Sequence, residues 1–571
     1  MSAFWTGYTI FSLLVLIGCN LIYRRVKRRR DTGGNGRDTR IQAETANEEN
    51  PASIKKGPII TVLILGAFVS ILNQTLMNVA LPVMMTDLNI SANTAQWLTT
   101  GFMLVNGVLI PVSAFLMEKF TTRQLFITAM ALFAAGTLLC AVSPNFALLM
   151  SGRVIQACGA GIIMPLMTNV FLTIFPVEKR GAAMGLIGLA MIFAPAVGPT
   201  LSGYIVEHYT WRVLFYIVFP FALLDVFLAL ALLKNVTRRT FPKLDYLGIV
   251  LSTIGFGGIL YGFSEAGNHS WNSTTVILPL IVGLLALVLF IWREFAVDRP
   301  MLEFRVFKYG MFSLAAFVNA VITMAMFAAM ILLPIYLQNI RGFTPLESGL
   351  LLLPGALLMG LMSPVTGIIF DKIGPRALAV VGLLITTVTT YEFTRLTDET
   401  PYRWLLVLYS LRMFGMSMLM MPIMTTGLNA LPQRLNAHGT AMVNTLRQVA
   451  GSLGTAFLVT VMSNRTDFHA AAYADVMTSN NPGFLEKWQT LSALAPGGQN
   501  GATQILYGLV MKHATIQGIN DAFLFATVLS IIALVFSVFL KKTRPPEEDG
   551  ALAEEKPPSG QPERLRPALQ D

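Results

Sequence analysis

Gly181–Gly203 reads GAAMGLIGLAMIFAPAVGPTLSG. It is apolar, and its 23 residues exceed the ~20 that a bilayer-spanning helix needs. It also carries Pro195 and Pro199, with glycines at 181, 185, 188, 198 and 203. Proline removes a backbone donor and bends a helix. In lipid every freed backbone group must be satisfied inside the protein. This segment therefore reads as a kinked helix packed against other helices, with Gly185/Gly188 and Gly198/Gly203 as flat faces for close neighbours. Two readings stand: a helix-packing surface, or a bent helix at the joint between moving bundles.

The rest of the 571-residue chain is of the same kind: 54% hydrophobic, 13% charged, mean hydropathy +0.62. Soluble domains carry ~25% charged residues, so this is an all-α polytopic membrane protein. Apolar spans fall at 58–83, 95–117, 125–143, 146–175, 182–206, 212–233, 244–264, 274–292, 310–337, 347–370, 377–396, 403–430, 440–463 and 519–540. They are spans 1–14. The net charge of +10 needs no nucleic-acid partner, because basic residues collect on cytoplasmic loops of membrane proteins. With span 1 starting inside at Lys55-Lys56, roughly thirty of the 41 Lys+Arg lie inside and roughly seven outside.

Before span 1 comes a further apolar run, Phe4 to Tyr23, followed by the basic Arg24–Arg30. That order is the reverse of a secretory signal. Residues 1–30 thus read as an uncleaved anchor with its N-terminus outside, and 31–57 as a cytoplasmic linker. The tail, 541–571, reads as disordered and cytoplasmic. The stretch 464–518 reads as an extracellular loop with two weakly amphipathic pieces, lying on the outer membrane surface or loosely ordered.

The two halves of the chain repeat. Pro111-Val112-Ser113…Glu118-Lys119…Arg123 matches Pro364-Val365-Thr366…Asp371-Lys372…Arg376 at an offset of 253 residues, and Ser91 matches Thr344 at the same offset. Ala80-Leu81-Pro82 matches Leu332-Leu333-Pro334 at 252. Met164–Thr168 matches Met421–Thr425 at 257, and Gly181–Met184 matches Gly439–Met442 at 258. The chain then divides into a six-helix bundle at 58–240, a two-helix insert at 241–308 and a second six-helix bundle at 309–540. Paired bundles related by an axis along the membrane normal are a transporter architecture, with the substrate site near the midplane.

These residues resemble the major facilitator superfamily, in its fourteen-helix drug:proton antiporter family and the lincomycin-type exporter branch. The loop motif between helices 2 and 3 is clear in its second copy (Gly367, Asp371, Lys372, Gly374, Arg376) and degenerate in its first (Ala114, Glu118, Lys119, Thr121, Arg123). The helix 4 motif is present as Arg153, Gln156, Ala157 and Gly159. The helix 5 antiporter motif runs Ala194–Pro199 with Gly203, then Trp211-Arg212 and Phe215. In span 1, LNQTLMNVALP is similar to the lincomycin-type exporters, although Asn73 stands where many relatives carry a carboxylate. The resemblance implies a bacterial plasma-membrane exporter of amphipathic drugs, driven by protons through alternating access.

A charge at mid-bilayer costs about 2.5–3.5 kcal/mol on insertion scales, so the few present are informative. Asp225 in span 6 is the one carboxylate flanked on both sides by long apolar sequence. Burial favours its protonated form and a neighbouring arginine its ionised form. It is a proton-coupling candidate or a structural counter-ion. Arg153 shares a helical face with Gln156 and would tune a carboxylate, compete with a bound proton or substrate, or act as a hydrogen-bond hub. Asn73, Gln74, Asn78, Trp97, Asn106, Gln156, Arg412 and Arg447 are candidates to line a substrate cavity. Methionines 164, 167, 421 and 424 offer an adaptable apolar wall. Glu118, Lys119, Arg123, Asp371, Lys372 and Arg376 read as solvated charge or as a cytoplasmic latch. Pro195, Gly198, Pro199 and Gly203 form the expected kink.

No enzyme signature appears. There is no GxxxxGK[ST] loop for ATP, no HExxH, and no metal-ligand spacing around Cys19, Cys140 and Cys158. No cofactor is expected. The remaining readings are an exporter of an anionic metabolite, lipid or monovalent cation, and a membrane sensor or scaffold that has lost transport. The sequence leaves an adaptor protein open.

Overall fold

A computed structural model describes residues 56–90, 92–236, 245–266, 271–297, 300–477, 482–496 and 498–543. The anchor at 4–23, nearly all of the 31–57 linker, Ser91 and most of the tail lie outside them. The described chain is all helix: α1 (Lys56–Asp87), α2 (Ala92–Lys119), α3 (Thr122–Ala141), α4 (Phe146–Ile174), α5 (Arg180–His208), α6 (Arg212–Leu232), α7 (Tyr246–Ala266) and α8 (Thr274–Ala296). There follow α9 (Gly310–Ile335), α10 (Pro345–Ile373), α11 (Pro375–Glu392), α12 (Tyr402–Ser417), α13 (Met420–Asn429), α14 (Asn436–Val476), α15 (Pro482–Leu494) and α16 (Gly498–Ser537).

Local chemistry sets the boundaries. Asn145 caps α4 by accepting from the Leu148 amide at 3.0 Å. Thr344 and Glu347 form a capping box at the start of α10, with bonds of 3.1 and 2.8 Å. Between α10 and α11 the chain turns at Gly374, φ +84°, a conformation that side chains disfavour, and Pro375 opens the next helix. Span 12 is two helices. The chain breaks at Met418-Leu419, just before Pro422, and resumes as α13.

Among the described residues thirteen helices are long and apolar enough to cross a membrane. The fourteen-span expectation differs at α14, which carries Asn436, His438, Asn444, Arg447 and Gln448 in its first half. These polar residues are buried or half-buried against protein. A helix shielded by its neighbours does not need a lipid-like surface.

The stretch 464–518 differs more. α14 continues to Val476, α15 covers Pro482–Leu494, and α16 begins at Gly498. At 1.5 Å per residue, the 41 residues of α14 extend about 60 Å, beyond a ~30 Å hydrocarbon core. The extensions hold each other. Arg465 and His469 both donate to Asp521, the histidine at 2.9 Å. A Cβ on Gly518 would stand 2.3 Å from Thr466 Oγ1. Hydropathy falls at the membrane edge, but the helices continue because they have each other to pack on.

The buried apolar side chains form two main cores. One is built chiefly from α1–α6 and the other from α9–α13 with α16. Glycines set the seam between α5 and α10. A Cβ at Gly185 would lie 2.6 Å from the Ser363 carbonyl oxygen, at Gly188 2.1 Å from Ser363 Oγ, and at Gly181 2.5 Å from the Gly367 carbonyl oxygen. Only helices without side chains at these points approach so closely. Across the molecule, α2 runs beside α14, where a Cβ at Gly107 would stand 3.2 Å from Gln448 Cγ. The α7–α8 hairpin, closed by Gly258 against Gly283, lies over that second seam. Its Tyr261 stacks on Trp97 of α2 at 5.5 Å, and Trp271 donates to Thr460 Oγ1 of α14 at 2.7 Å.

Candidate functional site

Two buried arginines anchor hydrogen-bond hubs. Arg153, fully buried on α4, donates from Nη1 to Gln156 Oε1 (3.0 Å) and Asn73 Oδ1 (3.4 Å), and from Nε to the Leu98 carbonyl (3.2 Å). Its guanidinium lies 4.2 Å from the centre of the Phe102 ring. Gln156 passes the contact on by donating to Thr137 Oγ1 at 2.8 Å. Arg412, also fully buried, donates from Nε to Thr390 Oγ1 (3.1 Å) and from Nη2 to the Ala325 carbonyl (2.9 Å). Thr137 and Thr390 stand 253 residues apart, and Asn73 and Ala325 stand 252 apart. These are the offsets of the sequence repeat, so the two hubs use corresponding positions.

Asp225 is buried on α6, and among the described residues neither carboxyl oxygen has a hydrogen-bond partner. It faces Gly66 of α1, where a Cβ would stand 2.6 Å from Oδ2, beside Phe126 of α3. An ionised carboxylate buried without a partner costs several kcal/mol, so the neutral acid is the form that fits. The two proton-coupling candidates, Asp225 and Arg153, are not paired with each other. Asp225 meets α1 at Gly66 and Arg153 meets it at Asn73, seven residues or about 10 Å further along the helix.

The six expected latch residues divide. Asp371 accepts from the amides of Gly181 and Ala182 at 2.8 and 3.0 Å, capping the first turn of α5, where a negative charge is favoured. Glu118 Oε1 accepts from His438 Nε2 at the start of α14, at 2.8 Å. His438 Nδ1 in turn accepts from the Glu303 amide at 3.3 Å. The other four are placed differently. Arg123 bonds the Leu230 carbonyl and Asn235, tying α3 to the end of α6. Lys119 lies over its neighbours Phe115 and Phe120, and Lys372 and Arg376 are exposed. The sequence reading missed three partners at this end of the molecule. Arg180 donates to Asn429 Oδ1 at 2.8 Å, and His438 occupies the position 258 residues after Arg180. Lys542, in the first residues of the tail, donates to the Asp371 carbonyl at 2.9 Å. The repeat offset held the signal for Arg180 and His438, but nothing local announces a bond between residues 249 or 320 apart.

The remaining candidates are dispersed. Trp97 is engaged by the α7–α8 hairpin through Tyr261 rather than open to an interior. Asn106 abuts α4, with Oδ1 3.1 Å from a Cβ placed on Gly161. Gln74 is half-buried on α1, and Asn78 lies on the same helix. Arg447 is half-buried on α14 and reaches Met191 Sδ of α5 at 3.8 Å. The antiporter stretch is a single helical run through Pro195 and Pro199. Gly198 admits Thr75, whose Oγ1 would stand 2.2 Å from a Cβ there, but nothing approaches Gly203 within 4 Å. Ser202 Oγ donates to the Leu76 carbonyl at 2.7 Å, so the far half of α5 rests on α1.

Buried arginines, a glycine seam and thirteen membrane-length helices among the described residues mark a polytopic membrane protein. Residues 63–455 match the model of the Major Facilitator Superfamily, and the chain belongs to that family. It is closely related to lincomycin resistance proteins. It is 43% identical to the lincomycin resistance protein LmrB of Bacillus subtilis, over 85% of this chain and 96% of that one. It is 51% identical to the uncharacterized MFS-type transporter YhcA of the same organism, over 87% of this chain and 94% of that one. Among solved structures, the human organic anion transporter MFSD10 shares the fold at TM-score 0.53 and 14% identity, covering 83% of this chain and 99% of that one. The proton:xylose symporter XylE does so at 0.54 and 13%, covering 85% and 96%.

Proposed function

We propose that this protein is a proton-coupled drug exporter of the bacterial plasma membrane, working by alternating access. Residues 58–240 and 309–540 form the two moving halves, and 241–308 is an insert between them. The face carrying Glu118, Asp371 and the tail is cytoplasmic, and the described conformation is the one closed at that face. Asp371 on the α5 start and Glu118 on His438 are the two latches, each joining one half to the other. Drug binding and proton transfer shift the balance between latched and unlatched states.

The observation that carries the proton-coupled reading is Asp225: a buried acid with no partner fits its pocket with a proton on and loses that fit when the proton leaves. Relatives that confer lincomycin resistance support a drug as cargo. The test is drug flux in proteoliposomes holding the purified full-length protein, measured against a panel of cationic, neutral and anionic compounds. Flux should follow an imposed pH gradient, stop with a protonophore, need no ATP, and lose its gradient dependence in Asp225→Asn. Flux that requires ATP, or that ignores the pH gradient in the unmodified protein, overturns the proposal.

A further inference from the structure

Three arginines lie away from the ends of the spans: Arg153, Arg412 and Arg447. Among the described residues none of them forms an ion pair with a carboxylate; the ion pairs that do form involve other residues. Of the buried carboxyls, Glu294 lies near the end of α8 and accepts from the Leu302 amide, and Asp225, at mid-span, is lodged against Gly66 and Phe126. Arg153 and Arg412 are engaged by neutral oxygens, with Arg153 Nη2 and Arg412 Nη1 left over. The interior therefore carries positive charge without compensation, in a setting where charge is costly unless it is paired or wet.

Arg447 differs from the other two. It is half-buried rather than enclosed, and among the described residues its guanidinium meets only the thioether of Met191. A guanidinium has five N–H donors, and a thioether is a weak acceptor. Both residues stand eleven positions from the start of their helices, α14 and α5, which is about 16 Å of rise. The contact therefore spans the junction of the two helices at mid-depth. Met421 lies near the same point of α5, with Cγ 3.0 Å from a Cβ placed on Gly188. Asn444 sits one turn before Arg447 on α14. The surroundings thus combine a cation lacking an anion with adaptable apolar walls.

We infer that Arg447 is the docking group for an acidic function on the transported molecule, so that the substrate class is amphipathic organic anions. The inference rests on the transport reading above and names its cargo. The carboxylate or phosphate of the substrate takes the open guanidinium N–H groups as a charge-assisted, bidentate pair. Its apolar body packs on Met191 and Met421. A cationic drug would meet like charge at the same place.

The experiment is equilibrium binding to the purified full-length protein in nanodiscs, without any gradient. Three matched probes are used: naphthalene-2-carboxylate, naphthalene-2-carboxamide and 2-naphthylmethylammonium. The carboxylate should bind at least about tenfold more tightly than the other two, as a charge-assisted pair warrants. Arg447→Gln should abolish that preference, and Arg447→Lys should keep part of it. Equal binding of the three probes by the unmodified protein overturns the inference, as does a preference that survives in Arg447→Gln. If Arg447→Gln does not fold, the unmodified protein and Arg447→Lys still decide it. Flux that ignores the pH gradient would sink the proton-coupled reading while leaving the charge preference standing, so the two failures are separable.

Discussion

Gly185→Val is the sharpest test of the α5–α10 seam. A Cβ at Gly185 would stand 2.6 Å from the Ser363 carbonyl oxygen and 2.8 Å from Pro364 Cα. Both are backbone atoms of α10, so no side chain can swing aside. Ordinary contact begins at 3.4 Å, so the two helices must separate by about 0.8 Å for the Cβ alone, and further for the methyls of valine. Overpacking of this kind costs about 1–3 kcal/mol. If the seam is made only in the cytoplasmically closed state, that cost falls on one state and shifts the balance toward the open one by about 5- to 150-fold. The assay replaces Thr425, fully buried on α13, with cysteine in a background without native cysteines. Labelling by a membrane-impermeant maleimide is followed from the cytoplasmic face. Gly185→Val should label at least tenfold faster than its parent. An unchanged labelling rate, in protein that expresses and melts normally, refutes the idea that this seam belongs to one conformation.

Asp371→Ala removes the acceptor for two α5 amides; lost caps cost about 0.5–2 kcal/mol, and the same labelling assay should move in the same direction. Gly66→Ala places a carbon 2.6 Å from Asp225 Oδ2 and 2.8 Å from Phe126 Cζ, which should lower the melting temperature measurably, by about 1–3 kcal/mol of stability. At the opposite end of α1, Asp87 accepts from Trp211 Nε1 at 2.8 Å and Arg212 Nη1 at 2.9 Å, and these bonds, Trp211 first, hold its carboxyl below the ordinary value. Stability from this contact is complete above the ordinary aspartate value near 3.9 and is lost as pH falls through the lowered folded one. Thermal melts should therefore show no pH dependence from Asp87 between pH 5 and about 8, and Trp211→Phe, by bringing the folded value closer to the ordinary one, should make the acid-side loss smaller.

The sequence made the helices legible because lipid forces long apolar runs, and it made the repeat legible because the same short motifs recur at nearly constant offset. The glycines of α5 also announced close contact, and Gly181, Gly185 and Gly188 do meet α10. Gly203 shows the limit of that signal: the residue type permits an approach, but the neighbour must be there. Arg153 and Gln156, three apart on one helix, could be paired by periodicity; Asp225 and Arg153 could not be separated by it, because their distance depends on where each meets α1. The Glu118–His438 bond was out of reach for the same reason. α14 was blurred for a different one: hydropathy reports contact with lipid, and a helix enclosed by protein does not obey it.

The α7–α8 hairpin is bonded on both sides. Ser264 donates to Thr100 of α2 at 3.3 Å, while Trp271 donates to Thr460 of α14. A repeated molecule would be expected to treat its two long edges alike, yet one edge is strapped by a hairpin and the other is a glycine seam bonded at one end by Asp371. Any rocking that parts α2 from α14 must stretch or slide the strap, whereas parting α5 from α10 has only the Asp371 cap to release. Under the proposed alternating access, the hairpin would act as a spring on one flank and the duplicated machine would open lopsidedly.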